Sequence, residues 1–322
     1  MRALLPVVAC ELEPPRGIFT DGGTVFPRLA EGLSIPEGND LKETVLVTGA
    51  NGFIGRYVVG LLECDYTVVK VETDIFALDW DAYLRKIRPD YLIHLAWVTG
   101  EGYQDAPENV LWVQKSIELY RAFFAQGGRR AVFVGTEQEY RRSDAPLDEN
   151  APLKPGSLYA ECKADLGRIL LKDSAVRKNG FVWCRLFFVY GGGEKPRRLM
   201  PSLLRGFLSG ERPVCSYEGF VRDYLYVKDV AAALRACLFS DYIGPVNVAG
   251  GARTTIGEIA RTAAAVCGGG QAAHKPLEAC GGQPMCVQAD VSRLRSLGWV
   301  PRYTLEAGLR EQAHELRGQV RP

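Results

Sequence analysis

The chain has 322 residues, 47% hydrophobic and 24% charged, a globular balance that is long enough for one large α/β domain with a smaller companion. Its 39 Lys and Arg against 38 Asp and Glu leave a net charge of +1, which removes any global electrostatic reason to expect nucleic acid or an anionic membrane as partner. Nine cysteines without a C-x-x-C pair and three scattered histidines give neither a disulfide framework nor zinc-ligand spacing, and they fit reduced thiols in the cytoplasm.

Residues 1–43 carry several Pro and Gly and no long periodic segment, so they read as an extension of mostly irregular structure. The short apolar start is broken by Pro6 and followed by Glu11 and Glu13, which disfavours a signal peptide. No run reaches 18 apolar residues, so no membrane span is expected. From Thr44 the pattern becomes regular. Val45–Val47 predicts a strand, followed by a glycine-rich turn and a helix to about Leu62. Thr67–Val71 predicts a strand, Trp80–Ile87 a helix stopped by Arg88-Pro89-Asp90, and Tyr91–Leu95 a buried strand. A long helix follows over Pro107–Ala125, then a strand at Ala131–Val134, a helix at Ser157–Asp173 and a strand at Phe181–Phe188. Strands alternating with helices predict a parallel sheet covered on both faces. Beyond Gly191 the alternation loosens. Helices are expected at Leu199–Leu208, Val227–Leu238, Thr255–Val266 and Leu305–Arg317, with short strands near Val246–Val248 and Val287–Ala289.

The first chemical signal is Thr48-Gly49-Ala50-Asn51-Gly52-Phe53-Ile54-Gly55 directly after the first strand. Gly49 permits the tight turn, Gly52 lets the backbone approach a pyrophosphate, and Gly55 lets the helix pack close to the sheet. The helix N-terminus then presents N–H groups to phosphate. Glu72, ending the second strand, is the candidate for the adenosine ribose hydroxyls and favours NAD; Lys70 nearby leaves NADP open, and Asp74 is placed to reach the adenine side.

The second signal is Tyr159 and Lys163, four residues apart and on one face of a helix. A Lys ammonium near a phenol is expected to lower its pKa from about 10 toward neutrality, so that Tyr159 exchanges a proton as hydride moves at a carbinol carbon. Thr136, at the carboxyl end of the preceding strand, can hydrogen-bond the same substrate oxygen.

With these residues in place the chain resembles the extended short-chain dehydrogenase/reductase family, in its nucleotide-sugar epimerase, dehydratase and reductase branch. The motifs are TGANGFIG (Thr48–Gly55), RPDYLIHLAW (Arg88–Trp97), Thr136, YAECK (Tyr159–Lys163), RLFFVYGGGE (Arg185–Glu194), RDYLYVKDV (Arg222–Val230) and PVNVAGG (Pro245–Gly251). The resemblance implies a Rossmann-type doubly wound sheet over residues 44–190, with later elements returning from the C-terminal part, and a mixed α/β substrate lobe over 191–322. It implies Thr136, Tyr159 and Lys163 as the catalytic trio, with Lys163 also holding the nicotinamide ribose. Gly49, Asn51, Gly52, Phe53, Ile54, Gly55, Glu72, Asp74, His94, Leu95 and Ala96 would line NAD or NADP. Trp97, Thr136, Arg222 and Arg253 would meet the substrate, with Lys195 a further phosphate donor. It also implies a homodimer through helices 107–125 and 157–173, with no nucleic acid, membrane or metal.

The sequence departs from that pattern at four places. The span from Thr67 to Trp80 is short by a helix and a strand, so the adenosine pocket is expected to be rebuilt. Gln138 stands where related dehydratases carry a glutamate base, and an amide takes no proton at neutral pH, which argues against 4,6-dehydration; Glu137 remains a candidate acid or base. Trp112, near the position of a family helix Asn, reads as packing, and Phe188, where an Asn is common, reads as core. The expected activity is 4-keto reduction or epimerisation of a nucleotide sugar. The alternatives are a reductase of another carbonyl compound, a 4,6-dehydratase or decarboxylase, and a cofactor-binding protein without turnover.

Overall fold

A computed structural model describes residues 42–275 and 285–318; most of the expected 1–43 extension lies outside these. At the centre is a six-stranded parallel sheet in the order β10-β5-β4-β3-β1-β2. Its strands are β1 (Thr44–Thr48), β2 (Thr67–Val71), β3 (Tyr91–His94), β4 (Arg130–Thr136), β5 (Gly180–Leu186) and β10 (Gly244–Val248). Val, Leu and Ile dominate these strands because a sheet covered on both faces buries both side-chain sets. Val45 and Val47 face α1 (Gly55–Leu62) and α6 (Val227–Leu238). Leu46 and Leu92 face the other side, against α2 (Trp80–Ile87), α3 (Glu108–Ala125) and α4 (Leu158–Arg177).

Local chemistry fixes several ends. Asp79 caps α2 by accepting from Ala82 N at 3.1 Å, and Arg88 closes it in the left-handed region at φ 49°, just before Pro89. Ser157 caps α4 through Ala160 N at 3.3 Å. Thr255 and Glu258 form a capping box opening α7 (Ile256–Cys267).

The expected short span after β2 is real. A single 3-10 turn, Ile75–Ala77, joins β2 to α2, and β2 is the sheet edge. The predicted strand Phe181–Phe188 is corrected. β5 ends at Leu186, and Phe188–Tyr190 is a separate strand, β6, paired in parallel with β9 (Tyr224–Tyr226) outside the main sheet. Phe188 is accordingly half-buried and not core.

The C-terminal part adds α5 (Leu199–Leu208), α9 (Leu305–Arg317), the short α8 (Ser292–Ser296) and strand pairs of two to three residues. One pair joins β7 (Val214–Ser216) to β11 (Ala273–Lys275), and another joins β8 (Val221–Arg222) to β12 (Cys286–Val287). Helices α5, α7 and α9 enclose a second apolar core around Leu203, Ile259 and Leu309. No described helix is long and apolar enough to cross a membrane.

Candidate active site

The chain leaves β1 toward β2 on one side and toward β3 on the other, so a crevice opens at the carboxyl ends of β1 and β3. The glycine turn lies there. Gly49 has φ +68°, and a Cβ on it would stand 2.8 Å from Ala96 N at the mouth of β3. A Cβ on Gly52 would stand 3.1 Å from Gly49 O, and one on Gly55 would strike the carbonyl oxygens of Gly49 and Ala50. Asn51 is exposed, and Phe53 and Ile54 are half-buried at the start of α1. No side chain caps α1 at Ile54, and its first turn carries no acidic residue. The positive end of the helix dipole is thus left for an anion, which would be met by the turn before Arg56, since Arg56 N and Tyr57 N already donate to Gly52 O at 3.3 Å and Ile54 O at 3.1 Å. A dinucleotide fits this cradle on the close approach of backbone alone. Gly55→Ala is expected to destabilise the fold by about 1–3 kcal/mol, read by urea denaturation, and to weaken NAD binding in calorimetry. Wild-type values for both would overturn the packing argument.

Glu72 is exposed just beyond β2, and its charge helps to raise the Tyr83 phenol. Lys70 is tied to Glu63 at 2.9 Å, at the end of α1. Asp74 accepts from Phe76 N at 3.0 Å and caps the 3-10 turn. Leu95 and Ala96 continue from β3 past the glycine turn, half-buried. His94 does not face the crevice. It is buried, with Nδ1 2.7 Å from Thr48 Oγ1 and Nε2 2.9 Å from Ser116 Oγ. Burial, helped by the Lys163 charge, pulls its pKa down to about 3. The unfolded chain takes up a proton near pH 6.5 that the folded chain refuses. Stability present above pH 6.5 is therefore lost as pH falls toward 3, by at most about 1.4 kcal/mol per unit. Urea titrations at pH 7 and pH 5 should show a smaller pH difference for His94→Asn than for the native chain.

Thr136 ends β4, and Tyr159 and Lys163 stand on the first turns of α4 facing it. A hydrogen bond from Thr136 pulls the Tyr159 phenol down, but burial outweighs it, with Tyr103, Glu137 and Glu139 pushing the same way. The phenol therefore titrates well above its ordinary range, opposite to the lowering expected from sequence. The reason is where Lys163 points. Its ammonium donates to Val134 O at 2.8 Å and lies 3.6 Å from the centre of the Trp97 ring. Burial brings Lys163 down to about 7, against the opposing charge of Glu139.

Trp97 is oriented by Asn109 of α3, whose Oδ1 accepts from the indole at 2.8 Å and whose Nδ2 donates to the carbonyls of Tyr103 and Ala106. The Asn of this helix that makes these bonds is Asn109, in its first turn, and not a residue near Trp112. Trp112 packs between Trp97 and Phe76, with ring centres at 5.8 and 4.8 Å. Asn109 pins the segment 98–106, whose Tyr103 meets the edge of Tyr159 at 4.9 Å between ring centres. Gln138 closes that segment, accepting from Gln104 at 3.3 Å and donating to Tyr103 Oη at 3.4 Å.

Glu137 is half-buried, and burial carries its pKa up to about 8 against the pull of Arg222 and Arg198. Arg222 is buried on β8 beside the Phe220 and Phe188 rings, at 4.9 and 5.7 Å from their centres. Arg253 is exposed on a neighbouring loop, where Arg222 N donates to Thr254 O at 3.0 Å and Arg253 Nη1 lies 4.0 Å from Cys286 Sγ. Lys195 reaches across to the Thr99 carbonyl.

Sequence reasoning missed Tyr103, Asn109 and Glu139. Glu139 alone left a legible local mark, since Thr-x-x-Glu is the pattern of a capping box and Thr136 with Glu139 forms one.

Comparison with known proteins matches this geometry. The model of the NAD dependent epimerase/dehydratase family matches residues 45–248. The chain is 25% identical to the dTDP-6-deoxy-L-talose 4-dehydrogenase (NAD(+)) of Aggregatibacter actinomycetemcomitans, over 64% of this chain and 84% of that one. It is 27% identical to a putative UDP-glucose 4-epimerase of Methanocaldococcus jannaschii, over 86% and 99%. Among solved structures it superposes on the UDP-N-acetylglucosamine 4-epimerase of Methanobrevibacter ruminantium M1, in complex with UDP-N-acetylmuramic acid, with a TM-score of 0.79, 25% identity and coverage of 87% and 99%. The glycine cradle, the Thr136–Tyr159–Lys163 cluster and a match over residues 45–248 place this chain in the NAD dependent epimerase/dehydratase family.

Proposed function

We propose that the protein is a nucleotide-sugar 4-ketoreductase or 4-epimerase that uses NAD, with Tyr159 as its proton donor and acceptor. The observation that carries this is the placement of Tyr159 on α4 within hydrogen-bond reach of Thr136 at the end of β4, with Lys163 one turn on. Burial keeps the phenol in its acid form, so it can donate a proton as negative charge develops on the oxygen it faces. That suits it to protonating a sugar C4 oxygen as a ketone is reduced, and to recovering the proton in reverse. Thr136 Oγ1 orients the same oxygen. Lys163, released from Val134 O, holds the nicotinamide ribose through its ammonium. Gly49, Asn51, Gly52, Phe53, Ile54, Gly55, Leu95 and Ala96 hold the dinucleotide. NAD, when bound, supplies the hydride acceptor and donor.

Glu72 at the end of β2, with Lys70 turned to Glu63, supports NAD over NADP. Asp74 sits at the adenine side. Arg222, with Arg253 on the adjacent loop, receives the diphosphate, and Trp97 closes the wall beside the sugar. Glu137 is a second proton carrier, protonated below about pH 8. Gln138, held as an amide between Gln104 and Tyr103, supplies no base for removing a C5 proton, which favours these two reactions over 4,6-dehydration. Residues 44–190 with β10 serve the cofactor, and 191–322 the sugar nucleotide. Exposed Val110 and Leu111 on α3, and Ile169 and Val176 on α4, support a homodimer through these helices. Seven free thiols among the described residues fit the cytoplasm.

The test is mass spectrometry coupled to chromatographic separation of the sugar epimers, after incubating purified protein with NAD(H) or NADP(H) and a panel of UDP- and dTDP-sugars and their 4-keto forms. A change of sugar configuration without mass change is the epimerase result. A two-dalton gain with stoichiometric NADH oxidation is the reductase result. Loss of water, or no reaction across the panel, would overturn the proposal.

A further inference from the structure

Behind the trio lies a buried polar cluster around Trp183. Trp183 of β5 is fully buried, and its indole occupies a slot between β4 and α4. Both walls of the slot are glycine. A Cβ on Gly135, next to Thr136, would strike Glu139 Oε1 and the Trp183 indole nitrogen. A Cβ on Gly167, on the helix that carries Tyr159 and Lys163, would stand 2.7 Å from Trp183 Cε2 and 2.8 Å from its Nε1. Such distances are well inside van der Waals contact, and a close-packed interior has no room to yield.

The indole is pinned at its polar edge. Trp183 Nε1 donates to Glu139 Oε1 and Oε2 at 3.1 and 3.2 Å. Glu139 Oε1 also accepts from Thr136 N at 2.9 Å, and Oε2 accepts from Arg185 Nε at 2.7 Å. One buried carboxylate thus ties the end of the Thr136 strand to the ring against which the Tyr159–Lys163 helix rests. Two residues could in principle hold strand and helix apart in many ways. Here the gap equals the thickness of one indole, because the facing positions have no side chain.

We propose that Trp183, seated between Gly135 and Gly167 and anchored by Glu139, is the spacer that sets the distance between Thr136 on β4 and Tyr159 and Lys163 on α4. Trp183 and Glu139 are positioning residues. They act through the trio, and the proposal rests on the reading of that trio given above. An ångström of displacement at reacting groups costs far more than the same displacement elsewhere.

The experiment is a double-mutant cycle on the full chain, read by the Kd for NAD in isothermal titration calorimetry and by the melting temperature. Gly167→Ala pushes α4 off the ring and moves Lys163 from the ribose. It is expected to weaken NAD binding about tenfold, the loss of one charge-assisted hydrogen bond. Trp183→Leu removes the two ring atoms nearest the new methyl. In that background Gly167→Ala is expected to leave the Kd unchanged. A purely structural role would lower the melting temperature of Gly167→Ala and leave its Kd native, and that result overturns the proposal. So does an equal loss of affinity in both backgrounds. Should Gly167→Ala fail to fold, Glu139→Gln decides. It keeps the shape and loses the charge that holds Trp183, Thr136 and Arg185 together, and a native Kd for it overturns the spacer. These readouts involve no sugar. An error in the catalytic assignment would show instead as native turnover in Tyr159→Phe, so the two failures are distinguishable.

Discussion

Tyr159→Phe is expected to lower turnover of the nucleotide sugar by about 10²- to 10⁴-fold, with NAD affinity unchanged. The variant keeps the ring and its edge contact with Tyr103, 4.9 Å between centres, so packing is preserved. It also keeps Lys163, which bonds Val134 O rather than the phenol. Only the proton-carrying oxygen is lost. Steady-state kinetics on the substrate found in the panel, with calorimetry for NAD, checks both halves. Native turnover would move the proton transfer to Glu137, whose carboxyl is protonated up to about pH 8. Activity would then fall in Glu137→Gln instead.

Arg185→Leu is expected to destabilise the protein by about 3–5 kcal/mol, the cost of leaving a buried carboxylate without its counterion. Arg185 and Glu139 are 5% and 0% exposed at their side chains. Arg185 Nη1 also donates to Tyr140 Oη at 2.9 Å and to Glu149 O at 3.2 Å. The loss therefore spreads into a network in which Tyr140 bonds Asn247 Oδ1 at 2.7 Å, and Asn247 N donates to Glu149. Changing Glu139 to Leu as well removes the stranded charge and should recover part of the stability. Urea denaturation of the single and double variants measures this. A loss below about 1 kcal/mol for Arg185→Leu, the level of an exposed pair, would mean that the pair contributes nothing beyond its packing.

Burial gives this pair a consequence at the site. Glu139 holds Thr136 N, and its charge opposes the burial that lowers Lys163. Burial raises Tyr159, and the same carboxylate adds to it. A residue outside the trio thus reinforces what burial does at the phenol and opposes it at the lysine.

The sequence by itself determined what short-range chemistry controls. Val45–Val47 and Thr67–Val71 read as strands because short runs rich in Val suit a pleated surface, buried throughout in the first and only at Val71 in the second, the edge strand. Helix α2 read correctly at both ends because Asp79 and Pro89 flank it. Gly49, Gly52 and Gly55 announced a cradle because a Cβ would clash with backbone at Gly49 and Gly55 and stand tight against Gly49 O at Gly52. Tyr159 and Lys163 were legible as a pair because helical periodicity puts them on one face. What the tertiary structure alone decided is every contact made between distant segments. Lys163 turns to Val134 O and Trp97, 29 and 66 residues away along the chain, and so leaves the phenol that sequence proximity had paired with it. Phe188 lies on its own strand because β6 pairs with β9, a partner 36 residues on. His94 turns into the core because Thr48 and Ser116 meet it there. Glu139, one charge among 38 acidic residues, comes to tie the end of β4 to Trp183 and Arg185 only when the sheet and α4 pack over it. Local patterns fix which elements form and which faces they bury; where a buried polar group finds its partner is settled by how those elements pack, because desolvation penalises every arrangement that leaves it alone.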